Sequence, residues 1–280
     1  MARQERRVKP LPTIWEVSDE PWSIIQAILD ERDPPSWTGR DRIDQRAALN
    51  YQMRRGCQWN HLPEQFGDDS SVHPTFHRWV QKGVLERIWA TLIQECEELG
   101  GVDWQWQSAD GAMGKARDLG GDHVGPNPTD RGKNGTKRSV IVEADGGPLG
   151  VVVAGANIPD TKLLKQTMDA IVVDRPKPTD KTPQHLCLDK GYDNPTGHRA
   201  TAEAHYVAHI RRIGEEKLDK RKRKRQPVRR WVVERTLGWM SKCRAILIRY
   251  AKKSCNYLGL IQLCCDLLWY RRQHRVSLLR

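Results

Sequence analysis

Long apolar stretches are absent from this sequence of 280 residues, and phenylalanine occurs only twice. No stretch approaches the roughly 18 consecutive apolar residues that a membrane-spanning helix needs. The first ten residues, MARQERRVKP, are polar and contain no apolar centre of a signal peptide. These absences favour a soluble protein of the cytoplasm.

Paired cysteine motifs are also lacking. The seven cysteines are odd in number, and no Cys-x-x-Cys motif occurs among them. Such a set argues against a disulfide scaffold and against a structural zinc site. We therefore expect reduced thiols in a reducing compartment.

Tryptophan and positive charge are abundant. Eleven tryptophans provide anchors for a core, and the length allows one large domain or two ordinary ones. The net charge is +12, and the segment 211–230 holds eleven Lys or Arg against three acidic residues. A basic segment of this kind is either a solvated loop or a contact for nucleic acid phosphates.

The first hundred residues have a helical pattern. Apolar residues at helical spacing predict helices over 21–29, 42–55, 72–82 and 84–99. The helix over 72–82 follows a polar cap and carries His77 and Arg78, which resembles the recognition helix of a helix-turn-helix motif. A plain helical bundle with exposed polar residues is the alternative. We predict a helical DNA-binding domain over 1–100 and place the boundary at Gly100-Gly101.

The second part of the chain, 101–280, alternates strands and helices. The pattern predicts strands over 102–109, 137–144, 149–154, 185–188 and 206–210. Helices are expected over 159–172, 195–204, 231–244 and 257–272. An antiparallel hairpin that leads into parallel βα units describes the ribonuclease H-like fold, so we predict an α/β mixed sheet with flanking helices.

Three acidic residues occupy special places in this pattern. Asp110 follows the first predicted strand, Asp189 follows the fourth, and Glu234 lies on the helix after the fifth. In a ribonuclease H-like sheet the first and fourth strands are neighbours, so the three carboxylates can converge in one crevice. Three hard oxygen donors suit Mg²⁺ or Mn²⁺, and such ions support in-line phosphoryl transfer. The alternative is a turn residue, a helix cap and half of a salt bridge.

Other polar residues are weaker candidates. Lys133 and Lys137 flank glycines in a loop and are candidates for phosphate contacts, with solvated loop lysines as the alternative. His123 and His185 lack a second histidine at ligand spacing, so a structural role is favoured. Asp193, four residues after Asp189, fits a helix cap or a residue that supports the metal ligands better than a direct metal ligand. Trp37 and Trp59 lie beside turns and are the tryptophans best placed to stack on bases.

Nearly the whole chain resembles the bacterial insertion-sequence transposases with a DDE triad, in the group with a short helical N-terminal domain. The motifs that carry the resemblance are RRGCQW at 54–59, LP at 62–63, WV at 79–80, DG at 110–111, KA at 115–116, TDRGK at 129–133, GTK at 135–137, DKGYD at 189–193 and RWVVERT at 230–236. The last two motifs are specific in this order and spacing.

The resemblance implies that Asp110, Asp189 and Glu234 form the metal-binding triad. It also implies a Tyr, Arg, Glu and Lys pattern around the last acid, of which Arg230 matches the arginine. The tyrosine would fall at Pro227 and the lysine at Ser241, so only half of the pattern is met.

The implied activity is metal-dependent cleavage of DNA at the ends of the element and strand transfer to a target, with Mg²⁺ or Mn²⁺ as cofactor. The implied partner is double-stranded DNA, bound by a homodimer or larger assembly in the cytoplasm at the bacterial nucleoid. Besides His77, Arg78, Lys133 and Lys137, the predicted DNA contacts are Arg230 and the basic core Arg221, Lys222, Arg223, Lys224 and Arg225.

Two other functions stay open at this stage. A metal-dependent nuclease on the same fold would cut without joining, and the N-terminal module counts against one such enzyme, a ribonuclease H. A catalytically inactive DNA-binding derivative is the second possibility, and the intact triad counts against it.

Overall fold

A computed structural model describes residues 19–35, 45–66, 68–117, 121–210 and 229–278. The side chains of 19–22, 24 and 274–278 are outside this description. Two predictions from the sequence also lie outside the described residues: the basic core from Arg221 to Arg225 and the stacking role of Trp37.

The N-terminal part consists of helices, as predicted. These are α1 (Asp19–Arg32), α2 (Arg46–Arg55), α3 (Asp69–Gln81) and α4 (Val84–Glu98), with short 3₁₀ turns at Trp59–His61 and Glu64–Phe66. The Asp68 side chain caps α3 by accepting a hydrogen bond from Ser70 N at 2.9 Å. Helix α2 ends at Gly56, whose φ of 59° is the left-handed conformation that glycine adopts without strain.

One mixed sheet organises the rest of the chain. Its strands are β1 (Trp106–Ala116), β2 (Gly125–Pro126), β3 (Asn134–Glu143), β4 (Pro148–Gly155), β5 (His185–Leu188), β6 (Val207–Ile210) and β7 (Ile248–Arg249). The long strands run in the order β4-β3-β1-β5-β6. Strand β3 is antiparallel to β1 and β4, whereas β1, β5 and β6 are parallel. This is the ribonuclease H-like arrangement, so the predicted fold class is confirmed.

The first strand differs from its prediction. It was expected over 102–109 with Asp110 at its end, but β1 begins at Trp106 and continues past Asp110 to Ala116. The continuation is held by the antiparallel ladder to β3, which extends as far as Lys115. The parallel ladder to β5 ends with Ser108 opposite Cys187. Asp110 therefore lies where β5 leaves β1 rather than where β1 stops.

Helices cover both faces of the sheet. They are α5 (Asp160–Asp169), α6 (Pro195–Glu203), α7 (Trp231–Ser241), α8 (Arg244–Leu247) and α9 (Ser254–Leu278), with a 3₁₀ turn at Lys190–Tyr192 between β5 and α6. Helix α7 is tied to the turn between β3 and β4, because Thr236 Oγ1 donates to Gly146 O at 2.7 Å. This contact sets the position of the helix that carries Glu234.

A single hydrophobic core joins the N-terminal helices to the sheet. The indole N–H groups of Trp89 on α4 and Trp269 on α9 both donate to the carbonyl of Pro148, at 3.0 and 2.6 Å. A Cβ atom at Gly259 of α9 would lie 2.4 Å from Val80, so only glycine allows this close contact with α3. The division into two domains at residue 100 stays a prediction.

None of the helices in the described ranges is long and apolar enough to cross a membrane. All seven cysteines are unpaired in the structure, and five of them are buried.

Candidate active site

Strands β1 and β5 bring Asp110 and Asp189 to the same place in the sheet. Ser108 of β1 is paired with Cys187 of β5. Because the strands are parallel, Asp110 lies beside Asp189, each two residues after the paired residue. Asp189 directly follows β5 and begins the 3₁₀ turn, where its Oδ1 accepts the N–H of Lys190. Asp110 accepts a hydrogen bond from Gly111 N at 2.8 Å. The predicted pairing of these two acids is thus present in the backbone register.

Arg230 connects Asp189 to Glu234. Its Nη1 lies 2.7 Å from Asp189 Oδ1 and its Nη2 lies 2.8 Å from Glu234 Oε1. Glu234 is on the first turn of α7, and Arg230 is the residue before that helix, so the pair has i,i+4 spacing. The side chains of Asp189 and Glu234 are both about half exposed, which leaves these carboxylates open to solvent. One guanidinium, with a single positive charge, therefore bridges two of the three predicted triad acids.

Asp110 is the most buried of the three acids, and no cation among the described residues contacts it directly. Burial raises its pKa to about 6, and the negative charges of Asp189 and Asp160 act in the same direction. The N–H of Gly111 and the positive charge of Arg230 oppose this increase in the pKa of Asp110. A further positive charge close to Asp110 would stabilise its ionised form.

Two residues without a role in the sequence prediction lie next to these acids. Asp160, at the start of α5, approaches β1 so closely that a Cβ atom at Gly111 would lie 2.1 Å from its Oδ1. Tyr192 is buried, and its hydroxyl has no hydrogen-bond partner among the described residues. Burial and the charges of Asp160, Asp110 and Asp189 raise the pKa of Tyr192. The glycine after Asp110 was the one sequence signal for this close approach.

The donor set fits a divalent cation, although the acids are not gathered around one point. No group of three His, Cys, Asp or Glu side chains within the described ranges is arranged to hold a metal ion. The Arg230 guanidinium lies between Asp189 and Glu234, where a metal ion would otherwise supply positive charge, and Asp110 has no ion-pair partner within the described part of the chain. Carboxylate oxygens are the ligands that Mg²⁺ and Mn²⁺ prefer.

The lysines predicted to contact phosphates differ in their surroundings. Lys133 is exposed in the loop before β3. Lys137 is buried, and its Nζ donates to Ile158 O at 2.8 Å and lies 3.0 Å from Asp160 Oδ1. The prediction of a phosphate contact for Lys137 is therefore corrected. Lys137 belongs to β3, and its side chain packs on the face of the sheet that α5 covers, where its ammonium group binds Ile158 and Asp160.

The predicted DNA contacts on α3 make contacts inside the chain. His77 Nδ1 lies 2.9 Å from Asn256 Oδ1, and Arg78 Nε donates to Asp33 Oδ2 at 3.0 Å. The Arg78 side chain is nevertheless 46% exposed, so part of its guanidinium faces solvent. A DNA-binding role for these two residues stays a prediction.

The weaker candidates have structural partners. Asp193 Oδ1 lies 2.9 Å from His198 Nε2. The Nδ1 atom of His185 lies 3.0 Å from His209 Nε2. Trp59 stacks on His73 with ring centroids 4.7 Å apart. His123 has a φ of 56° and gives its carbonyl to Arg249. These contacts agree with the structural roles that the sequence favoured for the histidines and Asp193.

Two family models match the chain. The model described as "Putative transposase of IS4/5 family" matches residues 17–89, and the model described as "Transposase DDE domain" matches residues 96–268. The second match alone covers more than half of the chain. It includes the positions of Asp110, Asp189 and Glu234.

The chain is also similar to two individual proteins. The chain is 32% identical over 162 residues to the "Putative transposase for insertion sequence element IS402" of Burkholderia cepacia, which is 55% of this chain and 72% of that protein. It is 33% identical over 69 residues to "Uncharacterized protein y4sN" of Sinorhizobium fredii, covering 25% of this chain and 50% of that protein.

Among solved structures, the chain is similar to the Mos1 mariner paired end complex with Mn. The identity is 10%, the TM-score is 0.27, and the match covers 77% of this chain and 82% of that chain.

The family matches confirm the resemblance that the sequence motifs indicated. The chain therefore belongs to the DDE transposases of insertion sequences, enzymes that act on DNA with a divalent metal ion.

Proposed function

We propose that this transposase cuts DNA at the ends of its own insertion sequence and joins the released 3′-hydroxyl to a target, with Asp110, Asp189 and Glu234 as metal ligands. The observation that supports this most strongly is Arg230, which already holds Asp189 and Glu234 together next to the partly buried Asp110. Asp189 and Glu234 share a single positive charge beside Asp110, and the family supports a divalent cation as the source of the rest.

Asp110, Asp189 and Glu234 would hold Mg²⁺ or Mn²⁺. When bound, such ions activate the attacking hydroxyl group and stabilise the leaving oxygen of a phosphoryl transfer. Cutting and joining are both phosphoryl transfers, so one acidic site serves both.

Arg230 has a second role in this proposal. Its guanidinium is 38% exposed and is bound to carboxylates that a divalent cation would neutralise instead. Two oxygens of a DNA phosphate can accept hydrogen bonds from the same two Nη atoms of Arg230 that now contact the carboxylates. We propose that Arg230 exchanges its carboxylate partners for a phosphate of the bound DNA.

DNA binding would combine two kinds of contact. The N-terminal helices, with His77 and Arg78, would read the terminal sequence of the element, and Lys133 and the basic core from Arg221 to Arg225 would hold backbone phosphates. Joining two element ends requires at least two subunits, so we propose a homodimer or larger assembly on DNA, working in the cytoplasm at the nucleoid.

The test is a cleavage and strand-transfer assay on duplexes that carry the ends of the element, with Mg²⁺, with Mn²⁺ and with EDTA. Asp110→Asn, Asp189→Asn and Glu234→Gln keep side-chain shape and remove a ligand charge. We expect each to abolish cleavage and to leave end binding nearly intact. Asp169→Asn is the matched control, because Asp169 is an exposed acid on α5 whose ion-pair partner among the described residues is Lys165.

Near-normal cleavage by any of the three variants would remove that residue from the proposed site. Cut ends without joined products would instead favour the nuclease alternative. End binding without any cleavage by the wild-type chain would favour the inactive derivative.

A further inference from the structure

Three residues of β1 lie on one face of the sheet and point towards the start of α7. Side chains alternate along a strand, so Trp106, Ser108 and Asp110 share a face. Asp110 belongs to the proposed metal site, whereas Trp106 and Ser108 have no assigned role. Both contact the same residue, Arg229, which lies just before Arg230 and α7.

The two contacts hold different parts of Arg229. Ser108 Oγ donates to the Arg229 carbonyl at 3.1 Å. The guanidinium carbon of Arg229 lies 4.6 Å from the centroid of the Trp106 ring, a cation–π contact. Trp106 in turn stacks on His185 of β5, with ring centroids 4.3 Å apart. The main chain and the side chain of Arg229 are therefore both fixed to the sheet.

This attachment is additional to what α7 needs for its own formation. The Arg229 carbonyl already accepts the N–H of Val232 at 3.2 Å, as expected for the first turn of a helix. The hydroxyl of the buried Ser108 adds a second donor to the same oxygen. The hydrogen bond from Ser108 therefore fixes the position of α7 on β1, and it is not needed for the first turn of the helix.

Helix α7 has a second attachment further along. Thr236 Oγ1 donates to Gly146 O at 2.7 Å in the turn between β3 and β4. Glu234 lies between the two attachments, and a helix of this length is rigid over that distance. The position of the Glu234 carboxylate relative to Asp110 therefore depends on both attachments of α7, the one at Arg229 and the one at Thr236.

We infer that Ser108 and Trp106 are positioning residues that set the distance between Glu234 and Asp110 through Arg229. This inference rests on the proposed function, because it concerns the same metal site. Ser108 and Asp110 are two residues apart on one strand, so the strand that supplies one ligand also locates the helix that supplies another. Ser108→Ala should loosen this geometry and weaken metal binding without preventing folding.

The experiment measures Mn²⁺ binding by the electron paramagnetic resonance signal of free Mn²⁺. The full chain is bound to a pre-cleaved element end, and no target DNA is present, so no strand is joined during the titration. We expect Ser108→Ala to weaken Mn²⁺ binding about fivefold, the equivalent of ~1 kcal/mol. Ser108→Thr, which keeps the hydroxyl, should restore wild-type affinity, and Trp106→Leu should weaken binding in the same direction.

Ser241→Ala is the matched control. Ser241 Oγ also donates to a backbone carbonyl of α7, that of Leu237 at 2.8 Å, but it does not connect the helix to β1. We expect this variant to bind Mn²⁺ like the wild type, and the Tm of each variant reports any general loss of stability.

The outcomes separate this inference from the proposed function. Wild-type Mn²⁺ affinity in both Ser108→Ala and Trp106→Leu, with Glu234→Gln strongly impaired, would overturn the positioning role alone. Equal weakening by Ser108→Ala and Ser241→Ala would also overturn it, because the effect would then be one of helix stability. Unchanged Mn²⁺ binding by Glu234→Gln, or no binding by the wild type, would overturn the metal site itself.

Discussion

A buried acid outside the active site provides a sharp test of the packing between the N-terminal helices and α9. Asp266 of α9 is 6% exposed, and neither of its carboxylate oxygens has a hydrogen-bond partner among the described residues. Burial raises the pKa of Asp266 well above its ordinary value. The side chain lines a cavity of about 50 Å³ whose other walls include Leu85, Ile88 and Leu263. We predict that Asp266→Leu stabilises the protein.

The expected gain follows from these surroundings. An unpartnered buried polar group costs about 1–3 kcal/mol on the scale of measured substitutions. Leucine is larger than aspartate, and the adjacent cavity offers space for its extra methyl groups. We therefore expect the free energy of unfolding at pH 7 to rise by about 1–3 kcal/mol, with an increase in Tm of roughly 2–4 °C for each kcal/mol.

The pH dependence identifies the cause. Because the folded protein binds the Asp266 proton more tightly than the unfolded chain does, protonation favours folding. Wild-type stability from this group is therefore highest below the unfolded pKa of about 3.8 and falls as pH rises through the folded pKa. The advantage of Asp266→Leu should shrink towards pH 4 and grow towards neutral pH.

Urea unfolding followed by circular dichroism between pH 4 and pH 8 measures this difference. Asp266→Asn is the matched control, because it removes the charge but leaves a buried amide without a partner. It should lose the pH dependence and gain less stability than the leucine variant. A lower Tm for Asp266→Leu at pH 7, or a stability difference that does not change with pH, would refute the reasoning.

Two further predictions concern arginines. Arg230→Gln should strengthen Mn²⁺ binding by the DNA-free chain about fivefold, since a half-exposed cation is removed from Asp189 and Glu234. Titration calorimetry that shows weaker binding would mean that Arg230 helps to hold the metal instead of competing with it. Arg249→Met should lower the free energy of unfolding by about 3–5 kcal/mol, because the buried guanidinium donates to four backbone carbonyl groups. Urea unfolding checks this, and a loss below about 1 kcal/mol would contradict it.

The sequence was sufficient for the order of the five longer strands, whereas the two-residue strands β2 and β7 were not predicted. Strand β5 has the bounds that were predicted, His185–Leu188, because a short apolar run is enclosed by polar and turn-forming residues. The neighbouring position of Asp110 and Asp189 followed from that order. The predicted end of β1 at residue 109 was wrong. Small residues after Asp110 hide the alternation of apolar and polar side chains, and the strand continues because it pairs with β3.

Side-chain partners were harder to predict. The sequence around Lys137 does not show whether its side chain is exposed in a loop or buried. Its burial against Asp160 follows from the position of Lys137 on β3. The bridge from Arg230 to two acids depends on how α7 packs on the sheet, which residues distant in sequence determine. The packing of α3 on α9 likewise depends on a long-range contact at Gly259 that no local pattern indicates.

The central claim, that Asp110, Asp189 and Glu234 hold one divalent metal site, is tested most directly by mapping where that metal sits. Fe²⁺ in place of Mg²⁺, with ascorbate and peroxide, produces hydroxyl radicals that cut the polypeptide close to the bound ion, and mass spectrometry locates the cuts. We predict cuts next to Asp110, Asp189 and Glu234 together, suppressed by excess Mg²⁺ and lost in Glu234→Gln. Cuts confined to other segments, or an unchanged pattern in Glu234→Gln, would contradict the account.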